Sequence, residues 1–276
     1  MDSTYVVGID VGGQTSKLGV VDARGTVLAQ TVIRTDTYSE IEPYIAELAD
    51  AVKKIIKDSG TEGKIKGIGV GAPNGNYYTG TIENAVNLTW GGANVVPFAK
   101  LLSEALGGLP VALTNDANAA AVGEMTYGAA RGMKNFIMIT LGTGVGSGIV
   151  INGEVVYGHD GFAGELGHVA AVRNNGRTCN CGKTGCLETY ASATGVARTA
   201  REWLELTDEP SVLRSLDNIA SKDVYEAAKD GDKLALKIFE FTGKILGRSF
   251  ADFIAFSSPE AIVLFGGLAR AKEFLN

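Results

Sequence analysis

Long apolar runs are what this sequence most plainly lacks. None approaches the roughly 18 residues needed to cross a membrane as a helix. Basic blocks are missing too: 25 Lys and Arg stand against 31 Asp and Glu, a net charge of −6. That balance argues against nucleic acid as the main partner. The opening Met1-Asp2-Ser3-Thr4 has no basic n-region and runs straight into a strand, so no signal peptide is expected. Cysteine is scarce, with three residues confined to positions 179–186. An odd number so tightly spaced excludes a secreted disulfide framework, and the cytoplasm is the expected compartment. What remains is a chain long enough for one large or two ordinary domains with a sizeable core.

Glycine is abundant, 37 of 276 residues, about twice the usual share. The glycines cluster at strand ends, which predicts many tight turns rather than disorder. The stretch 136–150, FIMITLGTGVGSGIV, is the clearest case. An apolar run suited to a buried strand meets Gly142, Thr143, Gly144, Gly146 and Gly148, and the apolar pattern then resumes. Such a hairpin bend can expose backbone N–H groups; glycine permits positive φ and close ligand approach, and Thr143 adds a hydroxyl, so the turn suits a phosphate. On this segment alone a purely structural hairpin stands beside that reading.

The order of elements repeats. Residues 5–33 read as strand, glycine turn (Gly12-Gly13), strand 17–21, turn 22–25 and strand 27–33. Residues 135–158 read as strand, glycine turn, strand 148–151, an Asn152-Gly153 turn and strand 154–157. Each unit has a glycine-containing second turn of type I′ character. This repeat of architecture, with little residue identity, predicts two similar α/β domains. Helices are expected over 40–57, 97–106, 192–206, 222–228 and 233–256, and further strands over 65–70, 111–113 and 261–265. In the last helix Ile238, Phe241, Ile245, Phe250, Phe253 and Ile254 form the expected apolar face. The domain boundary is expected near 107–110, giving domains 1–110 and 111–276.

Three segments carry chemistry. In Asp10-Val11-Gly12-Gly13-Gln14-Thr15-Ser16-Lys17, a carboxylate at a strand end beside glycines and hydroxyls can hold hydrated Mg²⁺ next to phosphates. An ordinary turn carboxylate and a solvated Lys17 are the plainer alternatives. In Asn115-Asp116-Ala117-Asn118, Asp116 fits a helix N-cap, or a carboxylate that accepts a proton from a substrate hydroxyl, with Asn115 binding a polar ligand. Finally, His168 followed by Cys179, Cys181 and Cys186 offers one imidazole and three thiolates, a closed tetrahedral set for structural Zn²⁺. Glu165 and Glu188 flank that cage.

Taken in order, these motifs resemble the ROK family of sugar kinases, within the actin–hexokinase–Hsp70 group, over essentially the whole chain. Asp10-Val11-Gly12-Gly13 and Leu141-Gly142-Thr143-Gly144 resemble the two phosphate motifs, and Leu264-Phe265-Gly266-Gly267 the adenosine motif. Glu165-Leu166-Gly167-His168 and Cys179-x-Cys181-Gly-x-x-Gly-Cys186-x-Glu188 match the family signature.

The resemblance implies a two-domain actin-like (ribonuclease H-like) fold of duplicated βββαβα units with a zinc loop in the second domain. It implies ATP-dependent phosphorylation of a hexose, most simply glucose, with N-acetylmannosamine, fructose and allose as alternatives. Asp116 is implied as general base. Gly75, Asn87, Asn115, Glu165, His168 and Glu188 are implied as sugar contacts. Asp10, Gly12, Gly13, Gln14, Thr15, Lys17, Thr143, Gly144, Gly266 and Gly267 are implied around Mg²⁺ and ATP, and His168 is implied to serve both zinc and sugar. A homo-oligomer, dimer or tetramer, is expected.

Gln14 stands where the family more often has Thr. Members usually continue for several elements past the adenosine motif, so the chain is expected to be a piece of a longer protein. A sugar-responsive transcriptional regulator of the same family lacking its DNA-binding domain is a lesser alternative: such repressors need an N-terminal winged helix-turn-helix, and with a strand expected from Tyr5 none is expected here. An actin-like or chaperone-like ATPase has no use for the Glu165/His168/Cys/Glu188 cluster.

Overall fold

Alternation makes the first strand. In β1 (Tyr5–Val11), Val7, Ile9 and Val11 are buried while Val6 and Asp10 face solvent, so one face can sit on a core. The structure, a computed structural model, describes residues 4–92 and 94–275. The expectations for residues 1–3 and for Asn276 lie outside the described residues. Strands β2 (Thr15–Asp22) and β3 (Val27–Arg34) follow β1 antiparallel. Helix α1 (Ile41–Asp58) comes next, burying Tyr44, Ile45, Leu48, Ala49, Val52 and Ile55 at helical spacing. After β4 (Ile65–Ala72), a small antiparallel sheet forms from β5 (Gly75–Asn76), β6 (Thr81–Glu83) and β7 (Val95–Val96). Helix α2 (Phe98–Ala105), strand β8 (Val111–Asn115) and helix α3 (Asp116–Tyr127) complete this part. The main sheet runs β3-β2-β1-β4-β8, with β4 parallel to both β1 and β8.

The second part opens with β9 (Phe136–Leu141), β10 (Val145–Ile151) and β11 (Glu154–Val155). Helices α4 (Glu188–Ala191), α5 (Ala193–Leu206), α6 (Ser221–Lys229) and α7 (Lys233–Ser257) follow, then β12 (Ala261–Phe265) and α8 (Lys272–Leu275). The sheet order is β11-β10-β9-β12, with β9, β10 and β11 antiparallel and β12 parallel to β9. Ile137, Met138 and Ile139 are all 1% exposed or less, so β9 is buried on both faces. Truncating Ile139 to Ala is expected to cost about 2–5 kcal/mol through the cavity it leaves. Among the described residues no helix is long and apolar enough to cross a membrane.

Several elements differ from the sequence-based expectation. The chain divides into Met1–Gly128 with Tyr157–Ala163, and Ala129–Val156 with Gly164–Asn276. A boundary near 107–110 therefore falls inside the first unit, because β8 pairs with β4 and carries α3 with it. Strand β11 stops at Val155; Tyr157 instead stacks on Tyr77, ring centroids 4.2 Å apart. The 22–25 turn is not type I′. Gly25 alone takes positive φ, and its N–H donates to the Asp22 carbonyl at 3.0 Å, the pattern of a type I turn with a glycine bulge. Asn152 and Gly153, both at positive φ, do fit type I′. On α7, Ile254 is half exposed, whereas Phe239 and Leu246 join the core.

Candidate active site

In the first unit, the β1–β2 turn is set by close backbone approach rather than by unusual dihedrals. Gly12 and Gly13 do not take left-handed φ. The Gly12 N–H donates to the Thr15 carbonyl at 3.0 Å. A Cβ on Gly13 would lie 2.9 Å from the backbone oxygen of Asn87, and one on Gly12 2.9 Å from that of Thr15. Asn87, a turn residue, thus touches the glycine turn through its backbone. The Gln14 carbonyl accepts from the Thr35 N–H at 2.9 Å, while its side chain is exposed. Asp10 and Lys17 are cross-strand partners 3.9 Å apart, both largely exposed; such a pair contributes little stability and leaves both charges available.

Strand β8 delivers the acid. Asn115, not Asp116, caps α3: its Oδ1 accepts the Ala117 N–H at 2.9 Å, and Asp116 Oδ1 accepts the same N–H at 2.8 Å. The expectation of Asp116 as N-cap is thereby corrected; it is the first helical residue, and its second carboxylate oxygen is not committed to the cap. Although Asp116 remains open to solvent, surrounding protein desolvates its carboxyl and pushes it above the ordinary carboxylate range. The Ala117 hydrogen bond opposes this, and the like charge of Asp10 adds to it. Gly75 lies against this strand end, since a Cβ there would be 2.5 Å from the Thr114 oxygen. Asn118, 3% exposed, has an Oδ1 with no partner among the described residues. A buried acceptor of that kind calls for a water or ligand. A lone Asn among alanines was the signal, and the sequence reading passed over it. A cavity of about 550 Å³ over this sheet touches Asp10, Lys17 and Thr114, but its walls are otherwise mostly apolar.

In the second unit, every backbone polar group of the 142–144 turn can be followed. Gly142 N–H donates to Gly144 O at 3.0 Å. Gly142 O accepts from Ala193 N–H at 2.8 Å, and Thr143 O accepts from Thr194 Oγ1 at 2.8 Å. Just beyond, Val145 N–H donates to Glu188 Oε2 at 2.8 Å and Gly146 N–H to Thr140 Oγ1 at 3.1 Å. The N–H groups of Thr143 and Gly144 find no acceptor among the described residues. Two adjacent donors without a protein acceptor, beside the Thr143 hydroxyl, are groups to which an anion could hydrogen-bond. A Cβ at 144 would displace Glu188 Oε2, the mobile end of a side chain, from the turn; positive φ is not used there.

Gly266, at φ 104°, brings the end of β12 against β9, where a Cβ would meet Leu141 O at 2.5 Å. Gly267 then lines a cavity of about 470 Å³ together with Gly142, Thr143, Lys222, Tyr225, Glu226 and Arg270. That volume suits a small-molecule ligand. The α6 residues in it were not legible as a site in sequence, where 222–228 reads only as a helix.

His168, Cys179, Cys181 and Cys186 converge, all four ligand atoms lying within 4.8 Å of one another. His168 Nδ1 is 3.6 Å from Cys179 Sγ, and Cys181 Sγ is 3.6 Å from Cys186 Sγ. A tetrahedral ion with bonds of about 2.0–2.3 Å requires separations of this size. Burial, reinforced by the neighbouring thiols, pushes the Cys186 thiol up to about 12, so a cation is what would hold that sulfur as a thiolate. The donor set fits Zn²⁺. The other imidazole nitrogen, Nε2, lies 4.0 Å from Glu165 Oε2. Arg177, absent from the sequence-based site, pins this loop. Its buried guanidinium donates to Glu202 and Thr199 of α5 and to the Thr189 carbonyl, and sits 4.5 Å over the Tyr190 ring.

The predicted residues therefore form two groups, Asp10 to Lys17, Gly75, Asn87, Asn115 and Asp116 in one unit and the remainder in the other. The ROK family model matches residues 6–276. A glucokinase of Halalkalibacterium halodurans is 40% identical over 280 residues, covering 100% of this chain and 84% of that protein. A glucokinase of Thermotoga maritima is 34% identical, with 100% and 86% covered. The crystal structure of a ROK family glucokinase from Streptomyces griseus in complex with glucose and AMPPNP aligns with a TM-score of 0.77 at 32% identity, covering 98% of this chain and 86% of that one.

Proposed function

Since the chain belongs to the ROK family, we propose that it is an ATP-dependent hexose kinase, and specifically a glucokinase that converts D-glucose to glucose 6-phosphate. The observation that carries this reading is full-length similarity to glucokinases at 34–40% identity. The duplicated, actin-like two-domain organisation belongs to the same proposal, supported by the shared strand pairing of the two sheets.

Phosphoryl transfer passes through a loose transition state, so catalysis rests on alignment and charge stabilisation. Asp116 is the general base: its raised pKa brings it nearer the working pH while leaving it able to take the hydroxyl proton. Asn115, Glu165, His168 and Glu188 hydrogen-bond sugar hydroxyls, with Gly75 and Asn87 as further contacts. Buried polar groups matched to each hydroxyl discriminate strongly, because a missing hydroxyl leaves them unsatisfied. The Thr143 and Gly144 N–H groups take phosphate oxygens, and Gly267 with Gly266 borders the nucleoside. Gly12, Gly13, Gln14, Thr15 and Lys17 contribute to the phosphate end.

Asp10 is the residue that would hold Mg²⁺, which supplies charge neutralisation to the phosphates. His168 and the three cysteines would hold Zn²⁺, which fixes the imidazole tautomer and the loop. A cytoplasmic homo-oligomer completes the proposal. A coupled ADP-release assay across glucose, fructose, mannose, N-acetylmannosamine and allose tests it, with the highest kcat/KM expected for glucose. Higher kcat/KM for another hexose would reassign the substrate.

A further inference from the structure

The segment that follows the last cysteine does more than reach for sugar. Within residues 188–194, three groups grip the glycine turn from one side: the Glu188 carboxylate on Val145 N–H, Ala193 N–H on Gly142 O, and Thr194 Oγ1 on Thr143 O. A carbonyl can only accept, so the Thr194 hydroxyl must donate to Thr143. Its contact with Ser192 Oγ at 2.9 Å then has one possible direction, Ser192 donating to Thr194. Ser192 is fully buried, and its oxygen also accepts the Gly195 N–H at 3.0 Å as the cap of α5. Both of its hydrogen-bonding roles are thereby fixed, and so is the rotamer of the hydroxyl that orients Thr194.

We infer that Thr194 is a positioning residue for the nucleotide phosphates: by holding the Thr143 carbonyl it keeps the Gly144 N–H, in the same peptide plane, aimed at the anion, as Ala193 does for the Thr143 N–H through the Gly142 carbonyl. The inference rests on the kinase reading. Thr194 touches no reacting atom; it acts through the turn. A phosphate oxygen approaching the turn must find donors and no carbonyl, and the Thr143 carbonyl is the group whose rotation would reverse that polarity.

The test compares Thr194→Val and Thr194→Ser with the unaltered chain, using calorimetric binding of a non-hydrolysable ATP analogue and steady-state kinetics. Thr194 is exposed, so loss of the hydroxyl leaves the core intact. For Thr194→Val the analogue Kd and the ATP KM rise about threefold to tenfold, the effect of one hydrogen bond, while the hexose KM stays within about twofold. Thr194→Ser restores both. An unchanged ATP KM in Thr194→Val, an equal rise in the hexose KM, or failure of Ser to rescue overturns the inference. If the unaltered chain binds no nucleotide, the kinase reading itself falls and takes this inference with it.

Discussion

Two glycine turns, one in each unit, solve the same problem by different means. The turn at 12–13 is fixed by backbone alone, through Gly12 N–H on Thr15 O and the packing of Gly13 on the Asn87 backbone. The turn at 142–144 is held by side chains and backbone of a distant segment, Glu188, Ala193 and Thr194. A backbone-fixed turn is as rigid as its sheet. A turn held from elsewhere inherits the condition of what holds it, here the segment anchored at Cys186. Each turn also has acid beside it, differently engaged: near the first, burial and then the like charge of Asp10 raise the pKa of Asp116, whereas at the second the Glu188 carboxylate accepts the Val145 N–H.

That difference can be broken at several points. The largest effect is expected at Asp116. Asp116→Asn should lower kcat by about 10²–10⁴-fold, the range of a general base, while hexose still binds by calorimetry. Near-normal kcat would remove the base assignment. The same variant reports on stability. Because the folded-state pKa is raised from 3.8, the folded chain holds the proton more tightly than the unfolded one. The stability this proton contributes is full below the unfolded value and is lost as pH rises through the folded one. Asp116→Asn should therefore melt at a higher temperature than the unaltered chain at pH 7.5, with the advantage gone at strongly acid pH. Melting curves at the two pH values check the sign.

A matched pair of glycine variants separates the two kinds of turn. In Gly13→Ala the added Cβ meets a backbone oxygen, so overpacking of about 1–3 kcal/mol should appear as a lower Tm. In Gly144→Ala it meets the end of a flexible side chain, so Glu188 swings away from Val145. There Tm should fall as well, through the lost charge-assisted hydrogen bond of about 1.5–3 kcal/mol to the buried Val145 N–H, kcat/KM should fall about tenfold or more, and amide exchange at Val145 should quicken in this variant but not in Gly13→Ala. Equal exchange at Val145 in both variants would erase the distinction.

Zinc removal should act on the second turn only. In a folded, metal-free preparation the hexose KM is expected to rise about tenfold through His168 and Glu188. Amide exchange should quicken at Val145 and not at Gly12. An unchanged KM, or equal acceleration at both amides, would uncouple the loop from the turn.

Much of this could be read from residues alone, and the reasons are local. The apolar run at 136–141 encodes a buried strand in its composition, and the Asn152-Gly153 pair encodes the β10–β11 hairpin in its own φ/ψ preferences. The His/Cys set was legible because few donor combinations suit a tetrahedral ion, and the four side chains do converge. Long-range packing was not legible. Nothing in the sequence near Gly144 announces that it lies against Glu188, 44 positions away, or that Ala193 and Thr194 hold its neighbours. The boundary was misplaced for the same reason: the pairing of β8 with β4 is a tertiary choice that a Gly/Pro-rich 107–110 segment does not reveal. Asn115 took the cap because its side chain reaches Ala117, and adjacent Asn and Asp offer the sequence no way to choose.

Phosphorus NMR of the unaltered chain with Mg·ATP and glucose tests transfer of a phosphoryl group to a sugar hydroxyl directly. ADP and glucose 6-phosphate are expected in equal amounts, with no free phosphate. ADP accompanied by inorganic phosphate and unmodified glucose would contradict that transfer.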